Sequence, residues 1–566
     1  MRIAFLHAPM LAALAIILSM ADPSHGKEIS HEEFSASVDS LLASEIIPDA
    51  PGAAIAVIQH GKSIYRRCFG LASLEHTVPI TNETVFNLAS VTKQFTALAV
   101  LLLEQEGKLS LDDDIHKYFP ELPAYDATVT LRNLMHHTSG LWEYSTMFRY
   151  YGGHNPVDYT SIEDVLTLLK GQDQLIFAPG SQWVYCNTNY ALLGELIARV
   201  TGESLASWAQ KSIFEPLEMK HTLFPDDCFQ VIPNAADCYY KNDDVYYKDP
   251  RNSDVVGEGY LYSTIDDMIL WLDNFRQRKV GGDMLIERMF QTSMLNDGSE
   301  CFYGYGLGVK ERNGKLVVSH SGQTGSFISM VIYAPEDEFG IVILSNSRHL
   351  RAEPLGYRIL DLFYPTDKEE IAETPASEPK PFITIDSANI ESLGGGYLID
   401  ENKGRLLLCR LGTGFYGIMD GYGSDLFRPI SESLLANNLR NAFIHIQDEG
   451  DRKVARIMLD LKKSGNIMWA SRIDAPVLTS KQLTADYGGK YYSDALGIAY
   501  NVIVDDNKLV IQHHRYSDRP LQMTDKDEFV GSIGIVRFSR NEKGLVESLA
   551  ISDEDTNFKP FTFKRM

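Results

Sequence analysis

The stretch FNLASVTKQFTALAVLLLEQEGKL, residues 86–109, constrains the fold more than any other. Its apolar residues are too many to leave in water and recur at helical spacing. It reads as a core helix opening at Ser90 and ending near Gly107, a good residue just past a helix end. Lys93 stands where the pattern would take an apolar residue. A lysine on a buried face is costly unless it is paired or neutral. Either the helix turns Lys93 to solvent and Ser90 is a plain cap, or Lys93 belongs to a site. Positions i and i+3 share a helix face, so Ser90 Oγ and Lys93 Nζ can meet. The helix N-terminus favours negative charge developing near Ser90. A desolvated lysine can act as a base, and serine needs such a neighbour to become a nucleophile.

The rest of the chain sets the context for that helix. At 566 residues it exceeds one ordinary domain, and 44% hydrophobic with 23% charged residues is a globular composition. A formal charge of -24 argues against nucleic acid or anionic lipid as a partner. Arg2 followed by MLAALAIILSMA reads as a signal peptide, cleaved after Ala21, with an uncleaved anchor as the alternative. The expectation is an exported protein, periplasmic or secreted, with no membrane span after cleavage. Six cysteines are too few for a disulfide scaffold. Cys228 and Cys238 are close enough in sequence to pair; Cys68, Cys186, Cys301 and Cys409 read as buried thiols. No spacing calls for zinc, and the adjacent His136 and His137 point apart, so no metal is expected.

Two apolar runs about His60-Gly61-Lys62 read as a β-hairpin. Helical patterns then dominate residues 110–300, and strands return in KLVVSHSG and SFISMVIYAPEDEFGIVILSNS. Strands at both ends of a helical middle imply one antiparallel sheet shared by both, with the middle as a helical subdomain. PTDKEEIAETPASEPKPF, residues 365–382, reads as a linker. Beyond it two β-rich copies follow, one from Gly395-Gly396-Tyr397 to MWASRI and one from Gly488-Gly489 and Tyr491 to FTFKRM. Each is long enough for a small antiparallel barrel.

Ser-x-x-Lys alone is weak, since Ser377-Glu-Pro-Lys380 also matches, but Pro379 breaks the helix that copy would need. Tyr185-Cys186-Asn187 precedes an amphipathic helix that starts near Asn189, which would hold Tyr185 and Asn187 on a supported loop. A second Tyr-x-Asn, at Tyr240-Lys241-Asn242, sits in a polar run that reads as an exposed loop. His320-Ser321-Gly322 ends an apolar run, and Gly322 allows close approach of another backbone or a ligand. The plain alternative is a turn at a strand end.

In this order, these three elements resemble the serine β-lactamase and penicillin-binding superfamily. The class C and peptidase S12 branch, with its D-aminopeptidases, carboxypeptidases and esterases, is most similar. The likeness covers about residues 30–365 and is carried also by LRNLMHHTSGL, VYCNTNYALLGELIARVTG and YLYSTIDDMILWL. It implies an α+β catalytic domain over residues 27–365: an antiparallel sheet with helices on its faces and a helical subdomain. After the linker at 366–382 it implies two lipocalin-like barrels, at 383–475 and 476–566. It further implies Ser90 as acylated nucleophile, Lys93 and Tyr185 as the proton-transfer pair, and Asn187 as a holder of Lys93 and the substrate amide. His320, Ser321 and Gly322 would line the substrate, and the N–H groups of Ser90 and Gln323 would form the oxyanion hole. No cofactor is implied.

The departures are also informative. Lys-Thr-Gly is usual in β-lactamases where this chain has His320-Ser321-Gly322, and histidine is mostly neutral at pH 7. That weakens the case for binding a substrate carboxylate. D-Aminopeptidases resemble the chain in having His-x-Gly and two β-barrels. GEGYLYST, residues 257–264, lacks a double glycine common before the following helix. The expected substrate is a small peptide, amide or ester, with D-aminopeptidase or peptide hydrolase placed before esterase and esterase before β-lactamase. A non-catalytic cell-wall-binding or sensor protein is the alternative of another class. Asp420, Asp425 and Asp494 lie in turns of the barrels and are candidates to meet a substrate ammonium, or else ordinary turn residues.

Overall fold

The computed structural model describes residues 30–43, 45–151, 158–242, 245–250, 252–364 and 393–566, apart from 402, 412–413, 420–422, 438–441, 448–455, 462–465, 514–517 and 553–559. The linker, the leader and the Ser377-x-x-Lys380 match lie outside the described residues. A six-stranded antiparallel sheet runs in the order Gly308–Arg312, Lys315–Thr324, Phe327–Ala334, Phe339–Ser345, Ala53–Gln59 and Lys62–Phe69. The N-terminal hairpin thus joins the C-terminal strands through Ala53–Gln59, in register from Ala53↔Ser345 to Gln59↔Phe339. Its turn is tight: His60 and Gly61 both have positive φ, 50° and 71°.

AAIAVIQ is apolar up to its last residue, Gln59, because both of its faces are covered. Ala53, Ile55 and Val57 pack with Phe34, Val38, Ile359 and Leu360 of the terminal helices His31–Leu42 and Ala352–Phe363. Ala54, Ala56 and Ile58 face the other way, into the core built around the helix Lys93–Gln105 and the helix Ile265–Gln277. Phe95 stacks on Trp271 there at 3.9 Å between centroids. Ser90 itself lies one step before the α-helix, in a 3₁₀ turn over Ala89–Thr92. Burying the apolar face of Lys93–Gln105 in the centre of the domain is what brings Lys93 inside.

Residues 395–472 and 489–565 form two closed eight-stranded antiparallel barrels. Each closes by the same device. Gly395 and Gly489 take φ of 137° and 151°, beside the guanidinium of Arg472 or Arg565. Those arginines lie over the rings of Tyr397 and Tyr491, at 5.2 and 5.9 Å. The phenols donate to the carbonyls of Leu393 and Tyr487, at 2.8 Å each. The structural repeat therefore aligns Gly394-Gly395 with Gly488-Gly489.

The second barrel shares the core of the domain that carries the six-stranded sheet: Trp142 meets Phe561 at 4.9 Å, and Gln172 donates to the carbonyl of Ala495 at 3.0 Å. The first barrel keeps its own core and touches the second through a small apolar cluster and an Arg405–Glu528 ion pair at 2.8 Å.

Several expectations need correction. Cys228 and Cys238 are reduced thiols, not a disulfide: Cys238 Sγ donates to the carbonyl of Asp249 at 3.2 Å, and burial beside Asp254 pushes the Cys228 thiol up to about 12. Cys68 is only half-buried, with its thiol 3.3 Å from Asn82 Oδ1. Tyr240 is exposed but lies in a strand, Tyr239–Asn242, paired with Val245–Lys248, and its ring stacks on Tyr247.

Candidate active site

Lys93 is fully buried. Its Nζ lies 3.1 Å from Ser90 Oγ, 2.8 Å from Asn187 Oδ1 and 2.6 Å from the carbonyl oxygen of Glu258. The Glu258 carboxylate is also near, Oε2 at 3.5 Å. Lys93 is thus the paired buried lysine that the apolar pattern called for. Ala89 precedes the serine with φ of 48°, a conformation that a residue with a side chain seldom adopts outside special sites.

Asn187 reaches Lys93 from a helix, not from a loop. The helix Asn187–Thr201 starts two residues earlier than its sequence shows, and the side chain of its N-cap, Cys186, makes no capping bond. A distant residue does the capping: the carboxylate of Glu143 accepts from the Asn187 amide. That interaction has no local sequence signal.

Tyr185 stands over Lys93, with the ammonium nitrogen 5.0 Å from its ring centre. Its hydroxyl is buried and makes no hydrogen bond at bonding distance. Burial raises the pKa of this phenol, and the nearby charge of Lys93 opposes that rise. A buried, unsatisfied hydroxyl costs free energy and is uncommon. One beside a serine and a lysine is placed to exchange a proton.

The opposite wall is aromatic and neutral. His320 lies inside the strand Lys315–Thr324, not in a turn at its end. Its Nδ1 lies 2.6 Å from the carbonyl of Ser321, so that nitrogen carries the proton, and Nε2 accepts from Tyr303 Oη at 2.9 Å. Burial first, and then the charge of Lys93, depress its pKa to about 3. The ring is therefore neutral at pH 7. His137, behind Tyr185, accepts at Nδ1 from the Cys186 amide and from Asn189 Nδ2, both at 3.2 Å. Burial holds it well below the usual histidine range. His136 bonds the carbonyl of Tyr303 at 3.0 Å, and burial lowers its pKa to about 4.

Gly322 shows why a side chain cannot stand there: a Cβ would lie 2.5 Å from the carbonyl of Leu88 and 3.0 Å from the Ser90 nitrogen. The strand carrying Ser321, Gly322 and Gln323 therefore lies directly against the serine turn. Ser329, on the next strand, ties the same turn by donating to the Leu88 carbonyl at 2.6 Å. The structure thus brings Ser90, Lys93, Tyr185, Asn187 and the His320–Gln323 segment to one place. Of the barrel aspartates, Asp494 is paired with Lys564 at 3.0 Å. Asp420 and the side chain of Asp425 lie outside the described residues. Among the described residues, one group could offer a metal three ligands, Asp227, Cys228 and Asp254, but its thiol is held protonated and no second feature points to an ion.

A family profile described as Beta-lactamase matches residues 39–362, more than half of the chain. The chain belongs to that family. Protein flp of Staphylococcus aureus (strain MRSA252) is 28% identical over 320 residues, which is 52% of this chain and 59% of flp. The D-aminopeptidase of Gluconobacter oxydans (strain 621H) is 27% identical over 354 residues, 61% of this chain and 66% of that one. The chain thus spans under two thirds of the length of these relatives. The octameric penicillin-binding protein homologue from Pyrococcus abyssi superposes with a TM-score of 0.54 at 23% identity, over 78% of this chain and 100% of that chain. The β-lactamase-like domain and its fold are therefore shown, and the chain is a member of a family of serine hydrolases. No helix among the described residues is long and apolar enough to cross a membrane.

Proposed function

We propose that the protein is an exported serine hydrolase that forms an acyl-enzyme on Ser90 and cleaves an amide or peptide bond, with a D-amino acid or cell-wall-like peptide as the preferred class. The observation that carries this reading is the contact set of Lys93: a buried amine 3.1 Å from a serine hydroxyl, held by Asn187 and by a backbone carbonyl. In the reaction, the Ser90 O–H bond breaks and its proton passes to Lys93. Oγ bonds to the substrate carbonyl carbon, and the π pair moves to the carbonyl oxygen. The amides of Ser90 and Gln323 stabilise that oxygen; loss of one such donor typically costs about 3 kcal/mol. The carbon–nitrogen bond then breaks, and Tyr185 relays the proton from Lys93 to the leaving amine. Water repeats the sequence to free the acid.

The electrostatics favour an amine-bearing substrate over an acidic one. His320 is neutral, so the strand beside the serine offers no fixed cation to a carboxylate. Two carboxylates, Glu143 and Glu258, reach the site instead. The likeness to a D-aminopeptidase agrees with this choice. Export rests on Arg2 and the apolar run after it. The test is a fluorophosphonate probe with mass spectrometry, followed by hydrolysis of D-amino acid amides, p-nitrophenyl esters and nitrocefin. The adduct is expected on Ser90, the Ser90→Ala variant is expected to fold and to turn over nothing, and the amides are expected to be the best substrates. An adduct on another serine, or turnover by Ser90→Ala, would sink the proposal.

A further inference from the structure

GEGYLYST differs from an ordinary glycine turn in carrying a carboxylate, Glu258, in an otherwise small and apolar loop. The loop brings that carboxylate to Lys93. Asn187 Oδ1 and the Glu258 carbonyl can only accept, so at 2.8 and 2.6 Å they take two N–H groups of the amine. What remains on Nζ, a lone pair or a third N–H, faces Ser90 Oγ at 3.1 Å. When Lys93 takes the proton of Ser90 it becomes a full cation with no access to water. Among the described residues, one carboxylate lies within ion-pair distance of it, Glu258 Oε2 at 3.5 Å. That carboxylate is itself held: Tyr144 donates to Oε1 at 2.8 Å. Its side chain is only 12% exposed, so water screens the pair little.

We propose that Glu258 is a positioning residue for catalysis, holding and counterbalancing the charge that Lys93 acquires, so that Ser90, Lys93 and Glu258 work as one unit. Glu258 keeps its charge through the step and takes no proton from Ser90. The proposal rests on the reading of Ser90 as the nucleophile. The groups that face the carboxylate are Lys93 from the helix Lys93–Gln105, Tyr144 and Glu143 from the segment across the site, Tyr185 from the turn before Asn187, and Tyr260 on its own loop. Lys93 is the cation among them. The three phenols are pushed upward by burial and stay neutral. Burial also pushes the Glu258 carboxyl up, with Lys93 and Tyr144 opposing. As pH falls, Glu258 takes up a proton and the counter-charge is lost.

The experiment uses the full chain and the amide substrate that wild type cleaves best. Glu258→Gln keeps the size and a partner for Tyr144 but removes the charge. It should lower kcat at least about tenfold, the factor that one pKa unit represents, and leave KM within about twofold, because the lost interaction belongs to the transition state. The acid limb of its kcat/KM profile should move to lower pH. The cause is that the carboxyl no longer titrates. Glu258→Ala should regain part of its kcat in formate, a carboxylate small enough to enter the gap. An acid limb at the wild-type pH in Glu258→Gln overturns the proposal, as does failure of formate to rescue a folded Glu258→Ala. If the alanine variant does not fold, the limb of Glu258→Gln decides alone. Fluorophosphonate labelling separates this from the broader reading. Wild type unlabelled at Ser90 removes both, whereas a labelled wild type with an unmoved limb removes only the role of Glu258.

Discussion

The two walls of the site differ in kind. On one side Lys93, Glu258, Glu143 and Asn187 form a charged, fully engaged network. On the other, Tyr185, His137, Tyr303 and His320 form an aromatic, neutral surface whose rings lie 4.4 to 6.4 Å apart. The sequence would let either side handle protons, since histidine is the usual acid–base residue near pH 7. Burial decides otherwise. It strips both histidines of their charge while the lysine keeps acceptors for its N–H groups. A side chain's ordinary titration range is thus a poor guide to its role when the solvent is removed.

Lys93→Met tests the charged wall most severely. It leaves Ser90 without a base, and kcat should fall by about a thousandfold or more, with fluorophosphonate labelling slowed in parallel. The fold should survive, because methionine fills most of the same volume, although Asn187 Oδ1 and the Glu258 carbonyl lose a donor. Turnover within tenfold of wild type would move the base to the aromatic wall.

Tyr185→Phe asks whether that wall takes part through its one unbonded hydroxyl. The change deletes an oxygen that bonds nothing in the resting site, so stability should change little. A drop in kcat of about a hundredfold with KM nearly constant is expected from loss of leaving-group protonation. The drop should shrink for p-nitrophenyl esters, whose leaving group needs no proton. An equal drop for amides and esters would assign Tyr185 to positioning alone.

What was legible in the sequence follows from distance along the chain. Ser90 and Lys93 lie on one turn, Tyr185 and Asn187 two residues apart, and His320 to Gly322 on one strand, so each group shows itself as a spacing. The paired sheet ends and the two barrels were legible for a related reason: alternating apolar runs between turns. Glu143 with its neighbour Tyr144, Glu258 and Tyr303 reach the site from three separate segments, and no spacing links them to the serine or the lysine. Glu258 did leave a trace, a charge set between two glycines where the neighbouring residues are small or apolar. The early start of the helix at Asn187 left none, because its cap comes from Glu143, forty-four residues away. The strand at Tyr240 was hidden by its polarity; a hairpin partner and the stack on Tyr247 order a segment that its composition would leave loose.

The neutral wall can also be tested through stability and pH. His320 titrates near 6.5 when unfolded and at about 3 when folded, so between those values the unfolded chain binds the extra proton. Stability attributable to this group is fully present above about pH 6.5. It is lost as pH falls toward 3, by at most about 1.4 kcal/mol per pH unit. In His320→Gln the amide can still meet Tyr303, and the fall in Tm between pH 7 and pH 5 should be smaller than in wild type. An identical fall in both proteins would show that His320 is accessible to protons in the fold and that the wall is not neutral.

The smallest effect is expected farthest from the two walls. Asp494, in the turn after Gly489–Ser493 at the lip of the second barrel, is the one of the three candidate barrel aspartates whose side chain is described. It is spent on Lys564, and both side chains are about three-quarters exposed. An exposed pair of this kind contributes little. Asp494→Asn should therefore shift Tm by no more than about 2 °C. It should also leave the preference for free over blocked N-terminal amines where it was. Glu143→Gln should move that preference, because its carboxylate reaches the site at Asn187. A changed preference in Asp494→Asn would mean that the barrel lip closes on the substrate, and selectivity for the amine would then belong to the second barrel, whose Phe561 packs on Trp142 next to Glu143.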